Sequence, residues 1–408
     1  MKVAIIGGGI AGLALALNLH ERGIGCQVYE AAPEVKELGV GITLLPHAMR
    51  ELTALGLQES LRRAGIENRA SAFFNRFGQL IYQEPRGALA GYAYPEIGIH
   101  RGRLHTLLFE TARERLGAER ITLDRRCAGF TQDENGVSLH FQTSTGAAAP
   151  DATADIAVAC DGVNSAIRKQ FYPGEDVVFT GINTWRGVTR HKPILDGRTY
   201  IRVGSIKRGK IVIYPIIDDV DGQGNQLINW TTEIQSDRAE KNDWNKPGHV
   251  EDFIEHYADW HFPWCDVPEL IRNSEVLFEY PMVDKDPVDR WTFGRVTVAG
   301  DAAHPMYPRG SNGSAQSLID VRTLADLLAK GGDPREALRA YEAARTGPTA
   351  KVVRTNRSNP PDFINIRVEE LTNDQPFDNL DDFVTQAELK ELSDSYKRVA
   401  GFDLTSLR

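Results

Sequence analysis

A glycine-rich turn near the start of the chain has the residue types and spacing of a diphosphate-binding site. The apolar run at residues 3–6 leads into Gly7-Gly8-Gly9-Ile10-Ala11-Gly12, which matches G-x-G-x-x-G, and a leucine-rich segment follows. In this pattern Gly7 permits a tight turn, Gly9 lets a pyrophosphate approach the backbone, and Gly12 lets a helix pack closely on a strand. The helix start adds free N–H groups and a positive dipole end. The turn therefore predicts a nucleotide site.

An acidic residue follows the second predicted strand. Residues 26–29 are mostly apolar, and Glu30 comes next, 23 residues after Gly7. At this offset a carboxylate can accept hydrogen bonds from the 2′- and 3′-hydroxyls of a ribose. It would repel a 2′-phosphate, so we expect an unphosphorylated adenosine. These features fit NAD and FAD equally.

Two later strand-and-turn motifs also place an aspartate beside a glycine. The apolar residues 156–160 precede Asp161-Gly162, and residues 295–299 precede Gly300-Asp301. A glycine-containing loop at 308–314 then opens a predicted helix. Taken singly, an Asp-Gly pair after a strand is often only a turn. An NAD dehydrogenase would explain the first glycine motif but neither of these two.

The three motifs together resemble the FAD-dependent aromatic hydroxylases, the single-component flavoprotein monooxygenases of the p-hydroxybenzoate and salicylate hydroxylase type. Their order and separations are similar over residues 1–350, and residues 185–187, 280–287 and 300–313 look most like the phenazine-carboxylate hydroxylase branch. The resemblance implies an α/β fold. A Rossmann-like FAD-binding domain, discontinuous in sequence, would carry an interleaved, mainly β-sheet substrate domain.

The resemblance also implies roles for particular residues. Asp301 would accept a hydrogen bond from the ribityl chain, Asp161 would serve FAD and nicotinamide binding, and Arg101 would contact FAD. The loop at 308–313 and the following helix start would face the N1–O2 edge of the flavin, where negative charge develops on reduction. The cofactor-binding residues expected from motif and resemblance are Gly7, Gly9, Ala11, Gly12, Glu30, Val40, Gly41, Arg101, Asp161, Asp301, Gly313 and Ser314.

The domain order predicted from the sequence is a first FAD-binding part at 1–170, a substrate domain at 171–290, a second FAD-binding part at 291–350 and a helical tail at 351–408. In the middle part, residues 177–190, 199–203, 210–217 and 226–233 read as strands, and 250–260 reads as helical. Its aromatic residues could sandwich a flat substrate or belong to the core; they are Trp185, Tyr200, Tyr214 and Trp230. In the tail, Asn359-Pro360-Pro361 predicts a break and 387–396 an amphipathic helix.

By resemblance, the reaction would be hydroxylation of a carboxylated or phenolic aromatic ring with NAD(P)H and O2 through a C4a-hydroperoxyflavin. A reductase or epoxidase of the same fold and a non-catalytic flavin-binding protein stay open as alternatives. No catalytic residue is assigned. His47 and Tyr214 are candidates for a base, and Arg309 could hold a substrate carboxylate or support reduced flavin, although each could be structural.

Composition disfavours several other classes of protein. The 408 residues carry a formal net charge of −9, which disfavours binding to nucleic-acid phosphates. The four cysteines are widely spaced, so neither a metal cluster nor a disulfide framework is expected. Glycines interrupt the apolar N-terminal run, which argues against a signal peptide, and no other run is long enough to span a membrane. We expect a cytoplasmic enzyme, either a monomer or a homodimer.

Overall fold

The chain forms two large β-sheets with helices packed around them in the computed structural model, which describes residues 1–37, 39–236, 246–358, 363–405 and 407. The α-helices of this part of the chain are Ile10–Glu21 (α1), Pro46–Ala54 (α2), Gln58–Ala64 (α3), Arg101–Leu116 (α4), Ala166–Phe171 (α5), Val267–Arg272 (α6), Gly313–Leu328 (α7), Pro334–Ser358 (α8), Phe363–Leu371 (α9) and Gln386–Ala400 (α10).

The first large sheet is mainly parallel and carries the glycine-rich turn. In spatial order its strands are Thr292–Phe293 (β21), Val296–Val298 (β22), Ile156–Ala159 (β12), Lys2–Ile6 (β1), Gly25–Tyr29 (β2) and Ile121–Thr122 (β8). The inner strands are short apolar runs, as expected where helices cover both faces. Since β1, β2, β12 and β22 run parallel, the residues that follow them meet at one edge of the sheet.

The second large sheet is mainly antiparallel. In spatial order its strands are Lys246–Pro247 (β17), Ser274–Asp284 (β20), Val178–His191 (β13), Gln226–Gln235 (β16), Gly209–Ile217 (β15), Thr199–Ser205 (β14), Ala70–Phe74 (β5) and Leu80–Pro85 (β6). The four strands predicted at 177–233 are present with small shifts at their ends. Strands β5 and β6 also belong to this sheet, although they lie within residues 1–170, which were predicted as the first FAD-binding part.

The two faces of the second sheet differ. Trp185 and Trp230 pack against Phe253 on one face, with ring centroids 4.8 and 6.1 Å away, respectively. They therefore belong to a core and cannot sandwich a substrate. Tyr200 and Tyr214 stack on each other at 4.9 Å in a different cluster. The segment predicted as helix at 250–260 forms two short 3₁₀ turns, Val250–Asp252 and Ile254–Tyr257.

Three small sheets complete the described strands. They comprise Ala148–Ala154 (β11), Val137–Gln142 (β10) and Arg126–Gln132 (β9); Gly41–Leu44 (β3), Ile97–His100 (β7) and Ile66–Glu67 (β4); and His261–Phe262 (β18) with Cys265–Asp266 (β19). The β3 strand matters for the site because it is linked to the second large sheet. The amide of Gly41 donates to Asn229 Oδ1 of β16 at 2.6 Å.

The helices bring distant parts of the sequence together. Helix α1 packs against α7 and α4, α7 against α8, and α10 against α8 and α9. The amphipathic tail helix predicted at 387–396 corresponds to α10. The break predicted at Asn359-Pro360-Pro361 lies outside the described residues. None of the described helices combines the length and apolarity required for a bilayer crossing.

Candidate active site and cofactor site

The glycines of the first motif have separable physical roles. Gly7 has φ +101°, and a Cβ there would lie 2.4 Å from the carbonyl oxygen of Cys160. A Cβ on Gly12 would lie 1.9 Å from the carbonyl oxygen of Gly7, so only glycine lets α1 lie this close to the turn. Gly9 is different, because a Cβ there would meet no atom within 4 Å. The space beside Gly9 is open, as close approach by a diphosphate requires.

The start of α1 leaves its amides available to an anion. Its N-cap is Gly9, which makes no side-chain capping bond, and its first turn contains no acidic residue. The first amides of a helix lack partners within the helix and carry the positive dipole end. The beginning of α1 therefore suits a phosphate group.

Glu30 and His105 hold the glycine turn in place. Glu30 accepts hydrogen bonds from the amides of Gly8 at 2.6 Å and Ala32 at 2.8 Å, and its carboxylate retains lone pairs for ribose hydroxyls. The ring Nε2 of His105 lies 2.6 Å from the carbonyl oxygen of Gly8. His105 was not among the site residues predicted from the sequence. Its position one helical turn after Arg101 on α4 is the signal that could have identified it.

Asp161 follows β12 at the same sheet edge. Its Oδ2 accepts from the amide of Ala166 at 2.9 Å, while its buried Oδ1 has no hydrogen-bond partner among the described residues. Burial raises the pKa of this carboxyl, because a charged group loses its hydration there. A buried acceptor without a partner costs free energy unless a ligand or water supplies a donor. Asp161 thus fits a position that faces a polar ligand.

Asp301 follows β22 and lies between the starts of α1 and α7. Its side chain is accessible, although the protein around it raises its pKa by desolvation; the nearby charges of His304 and Arg101 act in the opposite direction. A Cβ on Gly313 would lie 3.9 Å from Asp301 Oδ1. A Cβ on Gly300 would lie 3.1 Å from the Cβ of Ala11. Predicted site residues far apart in sequence therefore share one cleft.

The loop before α7 has an unusual backbone. Gly310 and Ser311 adopt φ values of +74° and +55°, and a left-handed conformation is costly for serine. Helix α7 then starts at Gly313 and Ser314 without a side-chain cap and without an acidic residue in its first turn. This second uncapped helix start faces the cleft beside Asp301, where it can stabilise negative charge.

Arg101 opens α4 at the junction between the two large sheets. Its amide donates to the carbonyl oxygen of Val40 at 2.9 Å, which ties it to the loop that contains Gly39 and Gly41. Val40 packs in the cluster of Tyr200 and Tyr214 beneath the second sheet. The charge of Arg101 opposes the desolvation that raises the pKa of Asp301, and it adds to the desolvation that lowers the pKa of Arg186, so Arg101 lies within electrostatic reach of both residues.

A buried network fixes the turn that carries Asp301. Asp320 on α7 accepts from the amide of Gly300 at 3.1 Å and from Arg345 Nε at 2.6 Å, and it lies 2.5 Å from His304 Nε2. Burial tends to raise the pKa of Asp320, but His304 and Arg345 hold it below the usual range. Asp320 therefore acts as the anchor of the Gly300-Asp301 turn.

Replacing Asp320 with asparagine should lower the free energy of unfolding by about 3–5 kcal/mol, since Arg345 would lose its buried carboxylate. The Asp320 contribution is present at neutral pH and is lost as the pH falls through its depressed pKa. Urea unfolding measures the change. The matched control is Asp326→Asn on the same helix, where a partly exposed pair with Arg22 predicts a loss of at most about 1 kcal/mol. Equal losses would contradict the anchoring role.

A cavity lies between the second sheet, the Gly310-Ser311 loop and the C-terminal helix. The space in it that admits a water-sized molecule is about 20 Å³, so the wall would have to open before an aromatic ring could enter. Apolar and aromatic side chains share its wall with charged ones. The lining residues are Thr43, Leu45, Phe73, Arg86, Glu96, Tyr200, Arg202, Gly310, Ser311, Ser393, Tyr396, Lys397 and Phe402.

Two of the three cationic side chains in the cavity wall form ion pairs with carboxylates of the described residues, and the third does not. Arg86 lies 3.2 Å from Glu84 and 3.3 Å from Glu96, and Lys397 lies 2.7 Å from Glu84. Arg202 is also buried, but it forms no ion pair with any carboxylate of the described residues. Its Nη1 donates to Ser71 Oγ at 2.5 Å, and its guanidinium lies over the rings of Phe73 and Tyr200. Arg202 was not predicted from the sequence as a site residue.

The three weak catalytic candidates occupy buried positions. His47 Nε2 lies 2.9 Å from Asn312 Oδ1, and burial lowers the pKa of His47 to about 3, so this imidazole is neutral at physiological pH. Burial raises the pKa of Tyr214 well above its usual value, which opposes a role as a base. Arg309 Nε lies 3.6 Å from Glu233 Oε2, so Arg309 already faces a carboxylate. This geometry favours a structural role for all three, and their catalytic roles stay predictions.

A family model described as an FAD binding domain matches residues 1–356 of this chain. The chain belongs to the FAD-binding aromatic hydroxylases. This chain is 39% identical over 361 residues to phenazine 1,6-dicarboxylic acid hydroxylase of Lysobacter antibioticus, and the match covers 87% of this chain and 89% of that protein. It is 31% identical over 373 residues to 3-amino-4-hydroxybenzoate 2-monooxygenase of Streptomyces cremeus, covering 89% and 88%, respectively.

Solved structures share the fold of the hydroxylase. A salicylate hydroxylase substrate complex matches with a TM-score of 0.74 at 22% identity, covering 100% of this chain and 96% of that one. HpxO of Klebsiella pneumoniae, complexed with FAD and uric acid, matches with a TM-score of 0.77 at 22% identity, covering 98% and 95%. The resemblance inferred from the three motifs is thus confirmed, and so are the fold class, the FAD cofactor and the assignment as an enzyme.

The residues of this cleft fit FAD. Open space beside Gly9 and two uncapped helix starts suit a diphosphate and a ring that becomes anionic. The partnerless Asp161 Oδ1 and the accessible Asp301 carboxylate suit polar groups of the cofactor. These features line one edge of a parallel sheet, where ligands of such folds bind.

Proposed function

We propose that the hydroxylase inserts one oxygen atom into a flat aromatic or heteroaromatic acid, with NAD(P)H as the reductant. The overall reaction balances as NAD(P)H, H⁺, O2 and the arene giving NAD(P)⁺, the hydroxyarene and water. Bound FAD would supply the redox chemistry, and the protein would supply binding, orientation and exclusion of water. Two relatives support this class of substrate, since their names describe action on an aromatic dicarboxylic acid and on a hydroxybenzoate.

The observation that carries the proposal is the unpaired guanidinium of Arg202 in the cavity wall. Arg202 is buried, and the loss of hydration there lowers its pKa, yet an arginine side chain stays protonated. The other two cations of the wall already have carboxylate partners. A substrate carboxylate would supply the missing anion and could accept two parallel hydrogen bonds from the guanidinium.

The remaining wall residues suit a flat ring that enters as the wall opens, because the cavity of about 20 Å³ is too small for a ring when closed. Tyr200 offers an aromatic face, and Leu45, Phe73 and Phe402 provide apolar surface that excludes water. Gly310 and Ser311 form the side of the cavity next to the start of α7, where we place the flavin ring. The substrate ring would therefore lie between the second sheet and the cofactor. We further propose that the predicted cofactor-binding residues hold FAD, with the diphosphate at α1 and the flavin at α7.

A paired panel of substrates tests this function. FAD-loaded protein is mixed with NADH or NADPH and with aromatic acids or their primary amides, and coenzyme oxidation and product mass are measured. We expect the acids to stimulate oxidation far more than the amides and to gain one oxygen. Coenzyme oxidation that reduces the substrate would indicate a reductase, and FAD binding without any turnover would indicate a non-catalytic flavoprotein.

A further inference from the structure

We propose that Tyr396, on the C-terminal helix, is a positioning residue that holds the 309–312 loop against the flavin. The proposal rests on the proposed function, because it assumes FAD in the cleft beside α7. The buried Tyr396 hydroxyl accepts from Asn312 Nδ2 at 2.8 Å and donates to Asn356 Oδ1 on α8 at 3.0 Å. One side chain of α10 thus connects the loop to a second helix.

The loop needs an external support. Ser311 has a left-handed φ of +55°, and such strain in a residue other than glycine persists only where the surrounding structure imposes it. Tyr396 lies directly against Gly310, the residue before this strained point, since a Cβ there would come 1.9 Å from the tyrosine hydroxyl oxygen. On the other side, His47 contacts Asn312 Oδ1 and thereby fixes the amide that donates to Tyr396. The hydroxyl is therefore placed to determine where the loop lies.

The supporting helix lies beyond the part of the chain that the family model matches, which ends at residue 356. Four cavity-lining residues come from this C-terminal segment: Ser393, Tyr396, Lys397 and Phe402. The same segment contributes a hydrogen bond from Gln316 Nε2 on α7 to the carbonyl oxygen of Ala400 at 3.2 Å. The C-terminal helix is thus a wall of the substrate cavity and a support for the flavin loop at once.

This arrangement predicts an effect on the redox properties of the flavin. The uncapped start of α7 stabilises negative charge on the reduced ring, and its distance from the ring depends on the loop that precedes it. If Tyr396 holds that loop, its loss should weaken binding of reduced FAD more than of oxidised FAD. A loosened loop should also let more reducing equivalents pass to O2, so that NAD(P)H, H⁺ and O2 give NAD(P)⁺ and H2O2.

The test compares Tyr396→Phe with Tyr92→Phe in the FAD-loaded full-length protein. Tyr92 donates its hydroxyl to the carbonyl oxygen of Phe402 at 2.7 Å, so the control removes a hydrogen bond to the same segment without touching the loop. Spectroelectrochemical titration gives the flavin midpoint potential, and peroxide and hydroxylated product are measured per NAD(P)H oxidised. Asn356→Ala gives a second variant, because it removes the nearer acceptor of the Tyr396 hydroxyl and leaves the more distant carbonyl oxygen of Arg309 at 3.4 Å.

We expect Tyr396→Phe to make the midpoint potential more negative, equivalent to a loss of about 3-fold to 10-fold in affinity for reduced over oxidised FAD, as expected for one hydrogen bond. The peroxide-to-product ratio should rise by a similar factor, and Asn356→Ala should act in the same direction. Tyr92→Phe should match the wild type. An unchanged potential in Tyr396→Phe, or an equal shift in Tyr92→Phe, would overturn the proposal. A wild type that binds FAD but makes no product would refute the proposed function, while the potentials still decide the role of Tyr396.

Discussion

Replacing Gly9 with alanine is expected to weaken FAD binding by about 10-fold to 100-fold, a loss of about 1.4–2.8 kcal/mol, and to leave the fold intact. Gly9 has extended backbone angles that alanine tolerates, and an added Cβ meets no protein atom within 4 Å. The methyl group would instead occupy the space into which we place the diphosphate. Equilibrium titration of the apoprotein with FAD, followed by flavin fluorescence, measures the loss.

The matched control is Gly12→Ala, three residues further along the same motif. Here the Cβ would lie 1.9 Å from the backbone oxygen of Gly7, so α1 would have to move away from the turn. We expect the free energy of unfolding of the apoprotein to fall by about 1–3 kcal/mol or more, compared with about 0.5 kcal/mol or less for Gly9→Ala. If Gly9→Ala bound FAD normally, the diphosphate would not lie beside Gly9.

Replacing Arg202 with methionine is expected to raise the KM for a carboxylated substrate by about 10-fold to 100-fold, the value of a hydrogen-bonded charge. Methionine keeps much of the apolar volume between Phe73 and Tyr200 and removes the charge that lacks a carboxylate partner. The amide of the same substrate should lose far less. Steady-state coenzyme oxidation with both substrates measures the difference.

Arg190→Met serves as the control for a lost positive charge. Arg190 lies on β13 of the same sheet but is partly exposed and paired with Glu275 at 3.2 Å. Its replacement should change neither substrate appreciably, because exposed ion pairs contribute little. Equal losses for acid and amide in Arg202→Met would show that Arg202 supports the cavity without binding a carboxylate.

Local sequence patterns predicted the cofactor half of this molecule well. The turn at Gly7–Gly12 and the aspartates at 161 and 301 each follow a short apolar strand, and parallel pairing brings all of them to one sheet edge. Such motifs are readable because glycine and aspartate have few alternative reasons to occur at these spacings after a strand. The strands of the second sheet were predicted for a similar reason, since their apolar runs are bounded by turn residues.

The substrate half was harder to predict because it depends on pairings between distant segments. Strands β5 and β6 join the second sheet through β14, which lies more than a hundred residues later, and no local pattern encodes that pairing. Trp185 and Trp230 were candidates for a substrate sandwich, but sheet faces are assigned only once a covering element such as Phe253 is known. Tyr200 and Arg202 lie two residues apart on β14, so their side chains point to the same face of the sheet. This spacing is the signal that could have placed Arg202 beside the aromatic wall.

The contribution of the C-terminal helix to the site could not be predicted from the sequence. An amphipathic pattern predicted α10, but it did not show which surface the helix covers. Tyr396 contacts Asn312, which lies 84 positions earlier in the chain, and its role follows only from the hydrogen bonds that meet there.

Isotopically labelled O2 distinguishes oxygen insertion into an aromatic acid by the FAD-loaded protein from every other outcome. The protein is supplied with FAD, NADH or NADPH, labelled O2 and an aromatic acid that stimulates coenzyme oxidation, and the product is analysed by mass spectrometry. We expect one labelled oxygen atom on the aromatic ring of each product molecule. A product whose added oxygen comes from water, or coenzyme oxidation that yields only labelled hydrogen peroxide with every acid, would contradict it.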